Sequence, residues 1–411
     1  MKKNLAIGSV ILLILSSIAL NTNINSLRQD SNKTTSNPQT PLVFSSKEMM
    51  GGIWNSYKKE YLEPNTYRTL DKQQNNITTS EGQSYTMLRS VWMDDKKTFD
   101  YSWTWTKYNM QRKSDSLFSW LFGQKSDGKY GIIEEKGGIN TASDADVDIA
   151  TSLIFASNRW GQKEYYDEAK KIITDIWNLQ VAEVDGKYIL LSNDIEKKSE
   201  SSFVINPSYF APYAFKIFAQ IDQKNNWNKL AQDSYTWLDI FTSSNLDKPT
   251  LGVLTPDWVI IDKKTGNFVN KYKNNLTSNF GFEALRTPWR IALDYQWFND
   301  PKAKKYLNRL VFLNDRWKQD KVLKAVYSHE GKVVENYENN AFYGGVLGHF
   351  IVNHPETATE IYNTKLKSLY NPDTYSFTQK LSYYDDNWVW FGMSLYNNNL
   401  INLSENIAYQ N

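Results

Sequence analysis

From about residue 45 to the C-terminus, apolar residues return every three or four positions, and Gly, Pro and Asn interrupt the pattern at helix-length intervals. That period restricts the chain to packed helices, because a half-buried strand would need strict alternation. It predicts about twelve helices, near 46–61, 81–94, 96–112, 146–158, 162–179, 208–221, 225–242, 280–297, 300–316, 338–353, 355–369 and 383–398. No Gly/Pro linker and no short repeat divides the series, so residues 45–411 read as one folded domain. Strand signals are confined to connections. One is Tyr188–Leu191, and another pairs Trp258–Ile261 with Phe268-Val269 around Lys264-Thr265-Gly266. The expected fold class is all-α, an (α/α)6 barrel of six helical hairpins with short β-hairpins in the connecting loops. Helix count alone also fits an α-solenoid, which is likewise built from hairpins.

The N-terminus has a different character. Lys2 and Lys3 precede an apolar run from Leu5 to Leu20, and Ser17-Ile18-Ala19 offers small residues for cleavage after Ala19. Residues 1–20 therefore read as a signal peptide or an uncleaved signal anchor, although the run is short for a membrane span. Residues 21–44, rich in Asn, Ser, Thr and Gln, read as a flexible polar linker. Either form of the signal places the domain outside the cell, secreted or anchored at the outer face of the membrane.

Composition removes several kinds of chemistry. The chain has no cysteine, which excludes a disulfide framework, a thiol nucleophile and thiolate metal sites. Its three histidines, His329, His349 and His354, show no metal-ligand spacing and read as structural. A formal charge of +2 without a basic block gives no footprint for nucleic acid. Aromatic residues reach 15%, with 15 Trp and 26 Tyr. Flat rings carrying one polar atom suit sugar faces, and large helical cores use them as readily.

Two acidic segments stand out. In Ile77-Thr78-Thr79-Ser80-Glu81-Gly82-Gln83-Ser84-Tyr85, Ser80 could cap a helix and Glu81 serve as its first-turn acid. The same position could present Glu81 at the mouth of a barrel, with Gly82 leaving room for a ligand. In Ala142–Trp160, Asp144, Asp146 and Asp148 open an amphipathic helix. The macrodipole accounts for part of that clustering, and the stretch lacks the central Gly and closing Glu of a calcium loop.

These segments carry a resemblance. Ala142–Trp160 resembles the signature of glycoside hydrolase family 8, and Thr79–Tyr85 resembles that family's acid motif. Asn206-Pro207-Ser208-Tyr209-Phe210, Pro256-Asp257-Trp258 and Arg286-Thr287-Pro288-Trp289-Arg290 follow in the family's order. The similarity spans about residues 45 to 400, so 45–411 is expected to be a glycoside hydrolase catalytic domain. The resemblance implies an (α/α)6 barrel and endo-acting hydrolysis of a β-linked polysaccharide with inversion. The leading substrate is a β-1,4-glucan. A chitosanase or xylanase on the same fold, or a catalytically weak glycan-binding homologue, are the alternatives. It also implies Glu81 as proton donor, with Asp144 holding hydroxyls of the sugar at the cleavage point. Where cellulase-like members carry Tyr-Asp-Ala, this chain has Phe282-Glu283-Ala284. Glu283 is therefore the candidate base, with one extra methylene. Arg286, Tyr209 and Trp120 match positions that bind substrate, whereas Trp103 and Trp105 have no such match, and Asp146 and Asp148 read as network residues. The resemblance implies no metal or organic cofactor. The expected state is a monomer, with a possible membrane tether through the N-terminal segment.

Overall fold

A computed structural model describes residues 45–247, 249–269, 276–405 and 409. The expected signal and linker, residues 1–44, lie outside the described residues. The described chain is mostly helical, with 55% helix and 12% strand. Its helices are α1 (Ser46–Tyr61), α2 (Ser80–Trp92), α3 (Lys96–Met110), α4 (Ser143–Trp160), α5 (Lys163–Gln180), α6 (Pro212–Ile221), α7 (Trp227–Ser243), α8 (Arg286–Phe298), α9 (Pro301–Leu307), α10 (Val311–Asp320), α11 (Asn340–Asn353), α12 (Pro355–Ile361) and α13 (Tyr383–Tyr396).

Two kinds of helix alternate along the chain. In α4 every residue from Ser143 to Ser157 is buried, and α2, α8, α11 and α13 contain similar continuous buried runs. A helix covered all round must lie inside other helices. By contrast α1, α3, α5 and α7 bury one face each and keep a solvated one. Neighbours in sequence pack in pairs, α2 on α3, α4 on α5, α6 on α7 and α11 on α12. The buried helices also pack on each other, α2 on α4, α4 on α6, α6 on α8, α8 on α11 and α11 on α13. A buried ion pair, Arg89–Asp386 at 3.1 Å, and the edge-to-face contact of Tyr85 with Trp388 join α13 back to α2. α11 and α13 approach closely at Gly344, where a Cβ would sit 2.1 Å from the carbonyl oxygen of Trp388.

Helix boundaries depart from the periodic reading where local chemistry intervenes. The segment expected at 300–316 is divided between α9 and α10 by a 3-10 turn at Asn308–Leu310. The one expected from 208 begins at Pro212, because Pro207–Tyr209 forms a separate 3-10 turn. The one expected from 280 begins at Arg286.

Short strands occupy the loops: β1 (Thr78–Thr79), β2 (Leu121–Gln124), β3 (Tyr130–Ile132), β4 (Val181–Val184), β5 (Lys187–Leu190), β6 (Ser202–Ile205) and β7 (Val259–Asp262). The Tyr188–Leu191 signal corresponds to β5, paired with β4. The hairpin expected between Trp258–Ile261 and Phe268-Val269 is reduced to one bridge, Ile261 to Phe268; the main partner of β7 is β6. His329 and His349 each place a ring nitrogen 2.8 Å from a backbone carbonyl, of Ser244 and Leu307 respectively.

Candidate active site

The start of α2 is fixed by strand pairing. Thr79 pairs with Leu121 across β1 and β2, and the Ser80 amide donates to the Trp120 carbonyl at 3.0 Å. The helix cap is Thr79, whose hydroxyl accepts from the Gly82 amide at 3.0 Å, so Ser80 is the first helical residue rather than the cap. Glu81 follows in the first turn and keeps 16% of its side chain exposed at the floor of a cleft. Gly82 is required for packing against protein rather than for ligand space, since a Cβ there would lie 2.2 Å from the Tyr383 hydroxyl.

Asp144 enters from the first turn of α4 and is 1% exposed. Glu283 and Arg286 sit on the turn that opens α8. Asp257 shapes that turn: its Oδ1 accepts from the amides of Gly281, Glu283 and Ala284 at 3.1, 3.1 and 2.8 Å.

Three acids converge on one guanidinium. Arg286 Nη1 donates to Glu81 and, at 3.2 Å, to Asp144 Oδ2; Nη2 donates to Glu283. The Nε of Arg286 donates to the Glu283 carbonyl at 3.2 Å, and the guanidinium lies 5.3 Å from the centre of the Tyr209 ring. Glu81 and Glu283, 202 residues apart in the sequence, thus meet at the two Nη atoms of Arg286. One positive charge cannot neutralise three buried negative ones, so at least one carboxyl is favoured in its neutral form. Burial pushes Glu81 up to about 8, against the opposing pull of Arg286, with Asp144 and Glu283 adding to the rise. Burial pushes Asp144 up to about 6. The second oxygen of Asp144, Oδ1, is buried and has no hydrogen-bond partner in the protein.

Around this centre lies a cleft lined by Glu81, Asp144, Glu283, Trp120, Tyr209 and Trp258, among others. All six residues singled out in the sequence therefore belong to one site, with Arg286 bonded to its acids from behind. Trp120 is anchored by its indole N–H, which donates to the Gly137 carbonyl at 3.0 Å. Asp146 and Asp148 stand apart as network residues. Asp146 accepts from the Phe118 amide and the Gln180 side chain, and Asp148 holds Arg290 through two bonds of 2.8 and 2.7 Å.

Three further residues lie within the sequence motifs and reach the site. Asn206 Nδ2 donates to Glu283 Oε2 at 2.7 Å, Trp258 lies edge-on to Tyr209 with ring centres 6.2 Å apart, and Asp257 holds the α8 turn. Antiparallel pairing of Ile205 with Val259 places Asn206 and Trp258 at the same end of the β6–β7 ladder. The signal for these residues was the motif pair itself, Asn206–Phe210 and Pro256–Trp258.

The family model of the glycosyl hydrolases family 8 matches residues 36–375. The chain belongs to glycosyl hydrolase family 8. Among its relatives, Endoglucanase 2 of Ruminiclostridium josui is 30% identical over 274 residues, covering 65% of this chain and 54% of that protein. An endoglucanase of Escherichia coli is 29% identical, covering 62% of this chain and 65% of its own length. The match thus spans little more than half the length of the first of these. The crystal structure of an endo-1,4-D-glucanase from Vibrio fischeri superposes with a TM-score of 0.68 at 24% identity, over 84% of this chain and 94% of that one, a likeness of fold.

Proposed function

We propose that this family 8 chain is an inverting, endo-acting β-1,4-glucanase in which Glu81 is the general acid, Glu283 the general base and Asp144 the holder of the sugar at the cleavage point. The observation that carries this reading is the convergence of the three carboxyl groups on Arg286 inside an aromatic-walled cleft. The glycosidic oxygen is a poor leaving group and needs a proton as its bond breaks. Glu81, raised to about 8, is the group that keeps one at neutral pH. Glu283, held by Asn206 and Arg286, is the acceptor that draws a proton from water attacking the opposite ring face. Asp144 Oδ1 is the acceptor available to a sugar hydroxyl, and Trp120, Tyr209 and Trp258 offer faces or edges to the pyranose rings.

The scaffold for this chemistry is an (α/α)6 barrel, supported by the alternation of fully covered and one-faced helices and by the Arg89–Asp386 closure. The catalytic domain is residues 45–411, working as a monomer outside the cell, behind a signal or anchor at 1–20 and the linker at 21–44. The charged start and apolar run from Leu5 to Leu20 support that location.

The test is reducing-sugar release from carboxymethyl cellulose by the parent and by Glu81→Gln, which keeps the shape of the side chain and removes the transferable proton. A loss of about 10³-fold is expected. Release at the parental rate by the variant, or none by the parent, would defeat the proposal.

A further inference from the structure

A second, smaller pocket lies against the cleft. Ala142, Tyr209 and Trp258 line both, and Glu196, Val204 and Leu276 are among the further walls of the second. It has room for about one group the size of a water molecule. None of the three acids bonded to Arg286 lines it.

Glu196 sets this pocket apart. The residue is 8% exposed, and its Oε2 accepts from the Val204 amide at 2.7 Å. No lysine or arginine among the described residues pairs with its carboxyl: Lys197 bonds to the backbone carbonyls of Asn178 and Val181, and Lys198 to Asp194. Burial pushes Glu196 up to about 7, opposed only by the Val204 amide, so below neutrality it is uncharged. A buried carboxyl without a cation is costly to keep, and such groups concentrate where a ligand is met.

The loop that carries Glu196 is fastened to the catalytic frame. Asn193 Oδ1 accepts from the amides of Ile195 and Glu196 at 2.9 and 3.1 Å. The Ser192 hydroxyl donates to the Val204 carbonyl at 2.9 Å, and the Ser192 carbonyl accepts at 3.1 Å from the amide of Ser143, the residue before Asp144. The Asp194 amide donates to the Thr141 hydroxyl at 3.0 Å, and the Asp194 carboxylate holds Arg112 at 2.9 Å. Glu196 thus has a set position relative to Asp144, and a group fixed before binding loses little entropy on contact.

Size and chemistry select the occupant. Ring hydroxyls sit directly on a pyranose, whereas the hydroxymethyl at C6 extends a carbon and then an oxygen beyond the ring. Its methylene matches the apolar walls of Ala142, Val204 and Leu276, and its hydroxyl matches Glu196. A xylosyl unit has no such group, and a carboxylate at the same carbon would be set against a buried acid.

Resting on the glucanase reading, we infer that this side pocket takes the C6 hydroxymethyl of a glucosyl unit beside the cleavage point, and that Glu196 is the residue that selects hexose over pentose chains there. Without an occupant, its carboxyl has only the Val204 amide as partner among the described residues. A bound hydroxyl supplies a second.

The test uses cellohexaose and xylohexaose, which differ only in the C6 group. Glu196→Ala and Glu196→Gln are each placed in the Glu81→Gln background, and binding of both sugars is measured by calorimetry. The background protein should bind cellohexaose about 10-fold more tightly than xylohexaose or better. Glu196→Ala should weaken cellohexaose about 10-fold and leave xylohexaose unchanged. Glu196→Gln, which retains an acceptor for Val204 and a donor for the hydroxyl, should restore most of the loss. Equal losses on the two sugars, cellohexaose binding unchanged by Glu196→Ala, or equal affinity of the background protein for both would overturn the assignment. If xylohexaose binds too weakly to measure, failure of Glu196→Gln to restore cellohexaose binding would do the same. Cleavage of cellohexaose by the parent chain reads the glucanase proposal separately, so it stands when the pocket assignment alone fails. Glu196-dependent binding without cleavage would uphold the pocket and defeat the glucanase. A background protein that binds neither sugar, with a parent that cleaves neither, would defeat both.

Discussion

At Arg286 one guanidinium meets Glu81, Asp144 and Glu283, and the imbalance decides where a proton resides. Glu81, raised to about 8 by burial, stays protonated through neutral pH. The alkaline limb of kcat/KM on cellohexaose should therefore fall above about pH 8; a limb one unit or more below that would assign the proton elsewhere. The same shift has a stability consequence of definite sign. A carboxyl raised in the folded state binds more protons there than in the unfolded chain, so folding stability falls as pH rises from about 4.5 through about 8. Glu81→Gln removes that titration. Its melting temperature relative to the parent's should therefore rise between pH 4.5 and 8, as calorimetry would register. Glu283→Gln should fold normally and lose about 10²-fold or more in turnover, and retention of activity would place the base on another residue.

Single elements position these groups, and the turn ahead of α8 depends on one buried side chain. Asp257 Oδ1 satisfies three amides there, and Gly281 must lack a side chain because a Cβ would come within 2.9 Å of Asp257. Asp257→Ala leaves buried N–H groups unpaired at a cost of about 1–3 kcal/mol each and frees Glu283. Denaturant titration and kcat should fall together in this variant, and unchanged kcat with lowered stability would confine Asp257 to folding. Sequence periodicity located α1, α5 and α7 closely because each carries one apolar face. It misplaced the starts of α6 and α8, where Pro207 and the Asp257-held turn set the boundary through contacts that a hydrophobic pattern does not encode. Glu81, Asp144 and Glu283 were legible through their motifs. The motifs also contain Asn206 and Trp258, but their placement at one end of the ladder depends on the register of β6 against β7, strands separated by more than fifty residues of chain.

On the scale of the whole molecule, the site exists because helices remote in sequence close on each other. Glu81 and Asp144 come from α2 and α4 and Arg286 from α8, so the spacing of the acids follows from packing across the interior. Arg89 of α2 joins Asp386 of α13 with both groups nearly out of solvent, and the guanidinium also lies 3.9 Å from the centre of the Tyr57 ring on α1. Removing one partner of a buried pair strands the other, so Arg89→Ala should lower unfolding free energy by about 3–5 kcal/mol in urea. A change below 1 kcal/mol would show that the closure is not held there. The central claim, that Glu81 and Glu283 act as an acid and a base on opposite faces of a β-1,4-glucan, is tested most directly by the configuration of the first product. Proton NMR during the first turnovers of cellohexaose should show the new reducing end appearing as the α anomer and only later equilibrating. A new end that appears first as the β anomer would contradict it.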